Sequence, residues 1–316
     1  MEQRVQPLRI DPARLHGLSE RLVSSHHQNN YAGAVRRLNA IRAQLAALDF
    51  GAAPGFQLNG LKREELVATN SMLLHELHFA CLGGNGRDMA PAMALALAAN
   101  FGSAERWREE FVAMGKALAG GSGWVLLSFS PVDGTLVNQW ASDHTQAIAG
   151  AVPILALDMY EHAYHLDFGA KADAWVDAFM RNIHWEGVYD RYRLAVTAAS
   201  EQFGVARSEL PAGALLDVRR AGVFEQDQQL IPGATWADPA AVGQWGPSLP
   251  PDREVVVYCV YGHEVGRSTA LRLRAQGLQA WFLRGGIDGW KAAGMPLADK
   301  ASSVRPPAPA ASPGRS

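Results

Sequence analysis

Asp158-Met159-Tyr160-Glu161-His162-Ala163-Tyr164-His165-Leu166-Asp167 follows directly on the apolar run Ile154-Leu155-Ala156-Leu157. The run reads as a short buried strand that delivers an acid at its end, with a histidine four residues further on. An Asp and a His at that spacing equally describe an i,i+4 ion pair on a surface helix. Far upstream stand two more histidines, His26 and His75, each in a predicted helix. Three neutral imidazoles and one carboxylate make a donor set for a borderline divalent or trivalent metal with one position left open. A lone helical histidine is far more often solvated than a ligand, so spacing alone leaves both readings standing.

The surrounding pattern predicts two domains, as the 316-residue length already suggests. A long helix is expected over about 18–48, with Leu22, Ala34, Leu38, Ile41, Leu45 and Leu48 near helical spacing. Gly51, Pro54 and Gly55 break it, and a second helix over about 61–82 ends at Gly83-Gly84, giving a helical hairpin over about 12–85. Further helices flank Phe101-Gly102-Ser103. An α/β part over about 100–203 holds a hairpin turning at Asp133-Gly134 and closes on helices over 172–181 and 188–203. Beyond residues 204–211, the apolar strands Ala214-Leu215-Leu216-Asp217 and Val255-Val256-Val257-Tyr258 alternate with loops and short helices, which predicts a parallel sheet. The fold class is therefore α+β: a helical hairpin plus an α/β half over 1–203, then an α/β domain over 207–298. Residues 299–316, rich in Pro, Ala and Ser, are expected to form a disordered tail.

Bulk properties narrow the function. A formal net charge of −2 gives no field that would gather nucleic acid or an anionic membrane. No apolar run is long enough to span a bilayer, and Met1 to Pro12 lacks the apolar core of a signal peptide. Two distant cysteines, Cys81 and Cys259, argue against a disulfide framework and for the reducing cytoplasm. Cys81 lies on the apolar side of its helix and reads as core.

The Asp158–Asp167 stretch resembles the Asp-x-Trp-Glu-His-Ala-Tyr signature of iron/manganese superoxide dismutases. Leu18-Ser19 to His26 with Leu38-Asn39 is similar to that family's first metal-binding helix, and His75-Glu76-Leu77-His78-Phe79-Ala80-Cys81-Leu82 to its second. Phe101-Gly102-Ser103, Gly121-Ser122-Gly123-Trp124 and Asn182-Ile183-His184-Trp185-Glu186 match further family segments, in order, over about residues 12–200. The resemblance implies that His26, His75, Asp158 and His162 hold one Fe or Mn ion, with solvent completing the shell. It implies that an outer donor, which His144 would supply, sets the metal's potential by hydrogen bonding to that solvent. Glu161 would reach across a two-fold axis to the partner's ligand histidine, making a homodimer through Glu161 and His162. Tyr31 stands one helical turn before the position of the family's gateway tyrosine, which falls on Ala34. Asn30, Phe79 after His78, Tyr160 and His165 also depart from the pattern. Asn30 and His165 would fall on partners in one hydrogen-bond relay.

Leu216-Asp217-Val218-Arg219, Ile231-Pro232-Gly233-Ala234, Val257-Tyr258-Cys259 and Leu283-Arg284-Gly285-Gly286-Ile287-Asp288-Gly289-Trp290 resemble a rhodanese-like domain. The resemblance implies that Cys259 is ringed by inward-pointing backbone N–H groups that depress its pKa and stabilise an anionic persulfide. The loop Val260 to Ser268 is about one residue longer than in small sulfurtransferases, and His263 is a candidate proton carrier. Thiosulfate or another sulfur donor is the implied substrate.

The first functional expectation is a dismutase that converts superoxide to oxygen and hydrogen peroxide. A sulfur carrier whose first domain serves dimerisation or metal binding is the second, and a metal-dependent stress protein the third. Three His and a carboxylate also accept zinc, but no general base stands near the ligands at metallohydrolase spacing.

Overall fold

A computed structural model describes residues 2–300. Most of the expected 299–316 tail therefore lies outside the described residues. By Cα proximity the described residues form two compact units, one of residues up to 130 with 136–192, the other of 131–135 with 193–300.

In the first unit, α1 (Glu20–Ser25) is capped by Ser19, whose hydroxyl oxygen accepts from the Leu22 amide at 3.0 Å. The same Ser19 is clasped by Asp167: its hydroxyl donates at 2.6 Å and its amide at 2.7 Å to the two carboxylate oxygens. The helix expected over 18–48 is interrupted, because His26–Tyr31 is wound as a π-helix before α2 (Ala32–Ala46) resumes the α form. A π turn adds a residue to the helical circuit and so re-aims the side chains it carries. α3 (Gly55–Ala80) starts directly after Pro54, six residues before its expected beginning. Exposed Gly60 costs that helix about 1 kcal/mol, which a 26-residue cooperative helix tolerates.

α4 (Pro91–Phe101) and α5 (Ala104–Ala117) follow, the second capped by Ser103. The expected hairpin is present as β1 (Trp124–Ser130) and β2 (Thr135–Ala141), and β3 (Val152–Asp158) completes a sheet of order β2-β1-β3. β1 and β3 are antiparallel, with Trp124 opposite Asp158. Ile154 to Asp158 are all buried, so the acid at the strand's end lies in the core. α6 (His165–Phe168), α7 (Ala172–Arg181) and α8 (Trp185–Ser200) end this region.

The second unit contains β4 (Gly204–Val205), β5 (Ala214–Asp217), α9 (Ala221–Gln226), β6 (Gln229–Leu230), β7 (Thr235–Trp236) and α10 (Val242–Trp245). It continues with β8 (Val255–Tyr258), α11 (Glu264–Ala275), β9 (Ala280–Leu283), α12 (Gly286–Ala292) and β10 (Ala298–Asp299). Its main sheet is parallel, in the order β4-β9-β8-β5-β7. Val255 and Val257 belong to one apolar cluster and Val256 and Tyr258 to another, as alternation along a strand covered on both faces requires. Arg219 is 1% exposed and stays charged there because Asp217 and Asp227 each bond it at 2.6 Å.

Candidate metal centre

His26 leaves the π turn, His75 the last third of α3, Asp158 the end of β3, and His162 the 3-10 turn Glu161–Ala163. These four expected residues converge: one ligand atom from each lies within 4.8 Å of every other. Asp158 Oδ2 faces Nε2 of His26 at 3.0 Å, of His162 at 3.3 Å and of His75 at 3.4 Å. Asp158 Oδ1 instead accepts the Tyr160 amide at 2.9 Å, and the Asp158 carbonyl accepts Trp175 Nε1–H at 2.7 Å. The carboxylate is thereby locked with one oxygen turned into the cluster.

The tautomers test whether a cation suits this place. His75 Nδ1 lies 2.6 Å from the Ser71 carbonyl, which accepts only, so Nδ1 carries the proton and Nε2 presents a lone pair. That lone pair points at His162 Nε2, 3.3 Å away, and at a carboxylate oxygen. Acceptors turned on one another in a buried site are costly unless a cation sits between them. Burial pushes the His75 imidazole down to about 3 and lowers His26 as well, so both are neutral donors. Burial works against ionisation of Asp158, but His162 and His26 hold its carboxyl well below the ordinary range. Three nitrogen lone pairs and one fixed negative charge fit an Fe or Mn ion. His162 has 27% of its side chain exposed against 3% or less for the others, so the cluster opens to solvent on its side.

Around this cluster, half-buried His144 stacks on Tyr160 with centroids 4.7 Å apart, and Tyr160 stacks on His162 at 5.4 Å. Trp124 Nε1–H donates to His144 Nδ1 at 2.9 Å. That bond places the proton of the neutral His144 ring on Nε2, and burial lowers its pKa, which keeps the ring neutral.

Tyr31, the candidate for the gateway place, ends the π turn. Its hydroxyl donates to Glu76 at 2.7 Å and accepts the Gln6 amide at 2.8 Å, and burial raises its pKa to about 12. Its ring packs on Phe79, which packs on His26. It lines a cleft of about 960 Å³ with Gln6, Glu76, Phe79, His184 and Arg191, in whose wall the four clustered residues take no part. Asn30 and His165 do not bond each other within the described residues, and His165 is exposed. His78, the unexpected histidine of α3, is 1% exposed, donates from Nδ1 to the Ala156 carbonyl at 3.1 Å and stacks on Phe179.

Ser71 and Trp124 were not singled out as functional from the sequence, although they fix the tautomers of His75 and His144. The i−4 relation of Ser71 to His75 was a usable signal, since a helical histidine folding back meets that carbonyl. Nothing local linked Trp124 to a histidine twenty residues onward.

In the second unit Cys259 directly follows β8 and is 5% exposed. Backbone N–H groups of Gly266, Gly262 and His263 draw its pKa down, but burial dominates and raises it. The expected depression of the free thiol is therefore not found, because desolvation of the anion outweighs three N–H dipoles. Cys81 is fully buried, as expected, with Arg191 Nη2 3.2 Å from its sulfur.

Residues 89–191 match the family model described as iron/manganese superoxide dismutases, C-terminal domain, and residues 204–293 match the rhodanese-like domain. The chain is 62% identical over 192 residues to the superoxide dismutase [Fe] of Cupriavidus metallidurans, a span of 61% of this chain and 97% of that protein. It is 30% identical to the superoxide dismutase [Fe] of Aquifex pyrophilus, over 60% of this chain and 91% of the relative. With superoxide dismutase [Mn] 1 of Halobacterium salinarum it shares 34% identity, over 56% and 88% of the two chains. A relative matched over nearly its whole length, together with the converged His26, His75, Asp158 and His162, leads to one conclusion: this chain belongs to the iron/manganese superoxide dismutase family and carries a rhodanese-like domain behind it.

Proposed function

We propose that residues 1–203 form a metal-dependent superoxide dismutase that turns two superoxide anions and two protons into dioxygen and hydrogen peroxide. The observation that carries this reading is the convergence of three imidazole nitrogens on one buried carboxylate oxygen, with a solvent-open side at His162. His26, His75, Asp158 and His162 would hold the ion. When bound, iron or manganese supplies the one-electron exchange that links oxidation of one superoxide to reduction of the next. Asp158 contributes the fixed negative charge that favours the more highly charged ion, and Ser71 and Trp175 hold the donors in aim. His144, with its proton on Nε2, serves as the outer hydrogen-bond donor, positioned by Trp124 and the Tyr160 ring.

The purified chain should contain about one equivalent of Fe or Mn and consume superoxide. Zinc or no metal, with no superoxide consumption, would end the proposal. His144→Ala should keep the metal and lower the rate ~10–100-fold, the range for outer-shell partners; metal content with stopped-flow decay checks this.

The exposed carboxylate of Glu161, beside the partly open His162, supports a homodimer across that face. Both described cysteines are free and buried, which suits the cytoplasm. Among the described residues no helix is long and apolar enough to cross a membrane.

The domain over 207–298 is proposed to carry sulfur as a persulfide on Cys259, where three backbone N–H groups surround the thiol. Cys259→Ser should abolish sulfur loading and leave metal content unchanged. Labelling that persists would shift the assignment to Cys81.

A further inference from the structure

A trans peptide group cannot aim its two ends independently, because its C=O and N–H point in opposite directions. The peptide joining Gly262 to His263 lies in the loop after Cys259, and its carbonyl accepts Arg267 Nε–H at 2.9 Å. The N–H at its other end, that of His263, is thereby turned away from Arg267, and it is one of the three that face the Cys259 thiol. The first turn of α11 lies against the same sulfur: a Cβ on Gly266 would stand 3.4 Å from Cys259 Sγ.

The guanidinium that holds this carbonyl is itself fixed. Arg267 Nη1 donates to the Ser200 hydroxyl at 3.2 Å and to Glu201 at 2.8 Å, and the group lies over the Phe282 ring, 4.2 Å from its centroid. All these residues belong to the second unit. Arg267 is the fourth residue of α11, near the positive end of the helix dipole, where a cation gains nothing from the helix. A cation bonded to a carbonyl polarises the peptide and strengthens the N–H at its far end. That suits an anion on the inner side of the loop.

We propose that Arg267 is a positioning residue for sulfur transfer: by holding the Gly262 carbonyl it aims and polarises the His263 N–H that stabilises an anionic persulfide on Cys259. The inference rests on the reading of Cys259 as a sulfur carrier. With thiosulfate as donor, the Cys259 sulfur attacks the outer sulfur. A new S–S bond forms to Cys259 while the old one breaks, and its electron pair leaves on sulfite. The thiol proton goes to that leaving group, so a neutral thiol and a thiosulfate dianion become a persulfide anion and a hydrogen sulfite anion, with no electrons gained or lost overall. The new charge rests on the sulfur at Cys259, where an aimed N–H meets it.

The test uses the full chain. Amide exchange is read residue by residue by NMR, and the gain of one sulfur at Cys259 is followed by mass spectrometry with thiosulfate or N-acetylcysteamine persulfide as donor. Arg267→Gln should let the His263 amide exchange at least about tenfold faster while the later turns of α11 keep their rates. It should also slow loading from either donor about tenfold or more. Arg267→Lys, whose ammonium can meet one acceptor, should fall between the two on both readings, and it carries the test should the Gln form not fold. Amide rates that rise equally along α11 would mean that Arg267 only holds the helix, and an unmoved His263 amide that it does not aim the peptide. Either result, or loading at the unaltered rate, overturns the proposal and spares the sulfur-carrier reading. No loading of the unaltered protein by either donor removes that reading and this one with it.

Discussion

Asp158→Asn is expected to strip the first unit of both its metal and its dismutase activity. The substitution preserves shape: the oxygen of the new side-chain amide still accepts the Tyr160 N–H, so the end of β3 keeps its course. What changes is charge, at a place with no solvent exposure where Oδ2 of the native carboxylate faces three imidazole nitrogens. Charge interactions in such surroundings are worth several kcal/mol, and metal occupancy should fall more than ~100-fold, beyond what loss of an outer-shell partner costs. The same change removes a carboxylate that His26 and His162 hold well below its ordinary pKa in the metal-free protein, a stabilisation present at neutral pH, so the metal-free thermal midpoint should fall. Elemental analysis and calorimetry on matched metal-free samples read both effects. A variant that retains its full metal complement would refute the assignment of Asp158 as a donor.

The second large effect is expected at Gly286→Ala. Gly286 has φ +56°, and a methyl group there would lie 2.4 Å from both the Cys259 and Val260 carbonyl oxygens. Those carbonyls receive the Ile287 amide at 3.0 Å and the Asp288 amide at 2.9 Å, the bonds that seat the sulfur loop on α12. A left-handed alanine costs ~1–2 kcal/mol, and the clash forces apart backbone that has no flexible side chain to yield. A destabilisation of ~3 kcal/mol or more is expected, together with loss of sulfur loading at Cys259. Gly289→Ala is the matching control, because open space surrounds that position inside α12. It should be neutral or stabilising by up to ~1 kcal/mol. Denaturant unfolding of both variants checks the contrast.

Asp158 and His162 were visible in the sequence as an acid ending a strand and a histidine four residues on, a pattern that equally describes a surface ion pair; the family resemblance marked them as ligands. His26 and His75 were not legible from spacing, since nothing along a helix states which distant helix it faces; the family resemblance supplied them. The π turn at His26–Tyr31 has no compositional mark, so a single long helix was the natural expectation. Tyr31, the last residue of that turn, bonds Glu76 and the Gln6 amide. The thiol of Cys259 shows a different limit. Inward N–H groups follow from a loop motif, but the desolvation that outweighs them is a property of the packed sheet.

Asp167 and Ser19 are 148 positions apart, yet they fasten the start of the His26 segment to the segment that carries His162. Closing so long a loop has an entropic cost that grows only slowly with its length, and here it is met when the polypeptide folds. Capture of the ion then needs no large search by the backbone. Iron or manganese would enter a receptacle already shaped for it, and uptake should report that the two distant parts of the chain have come together.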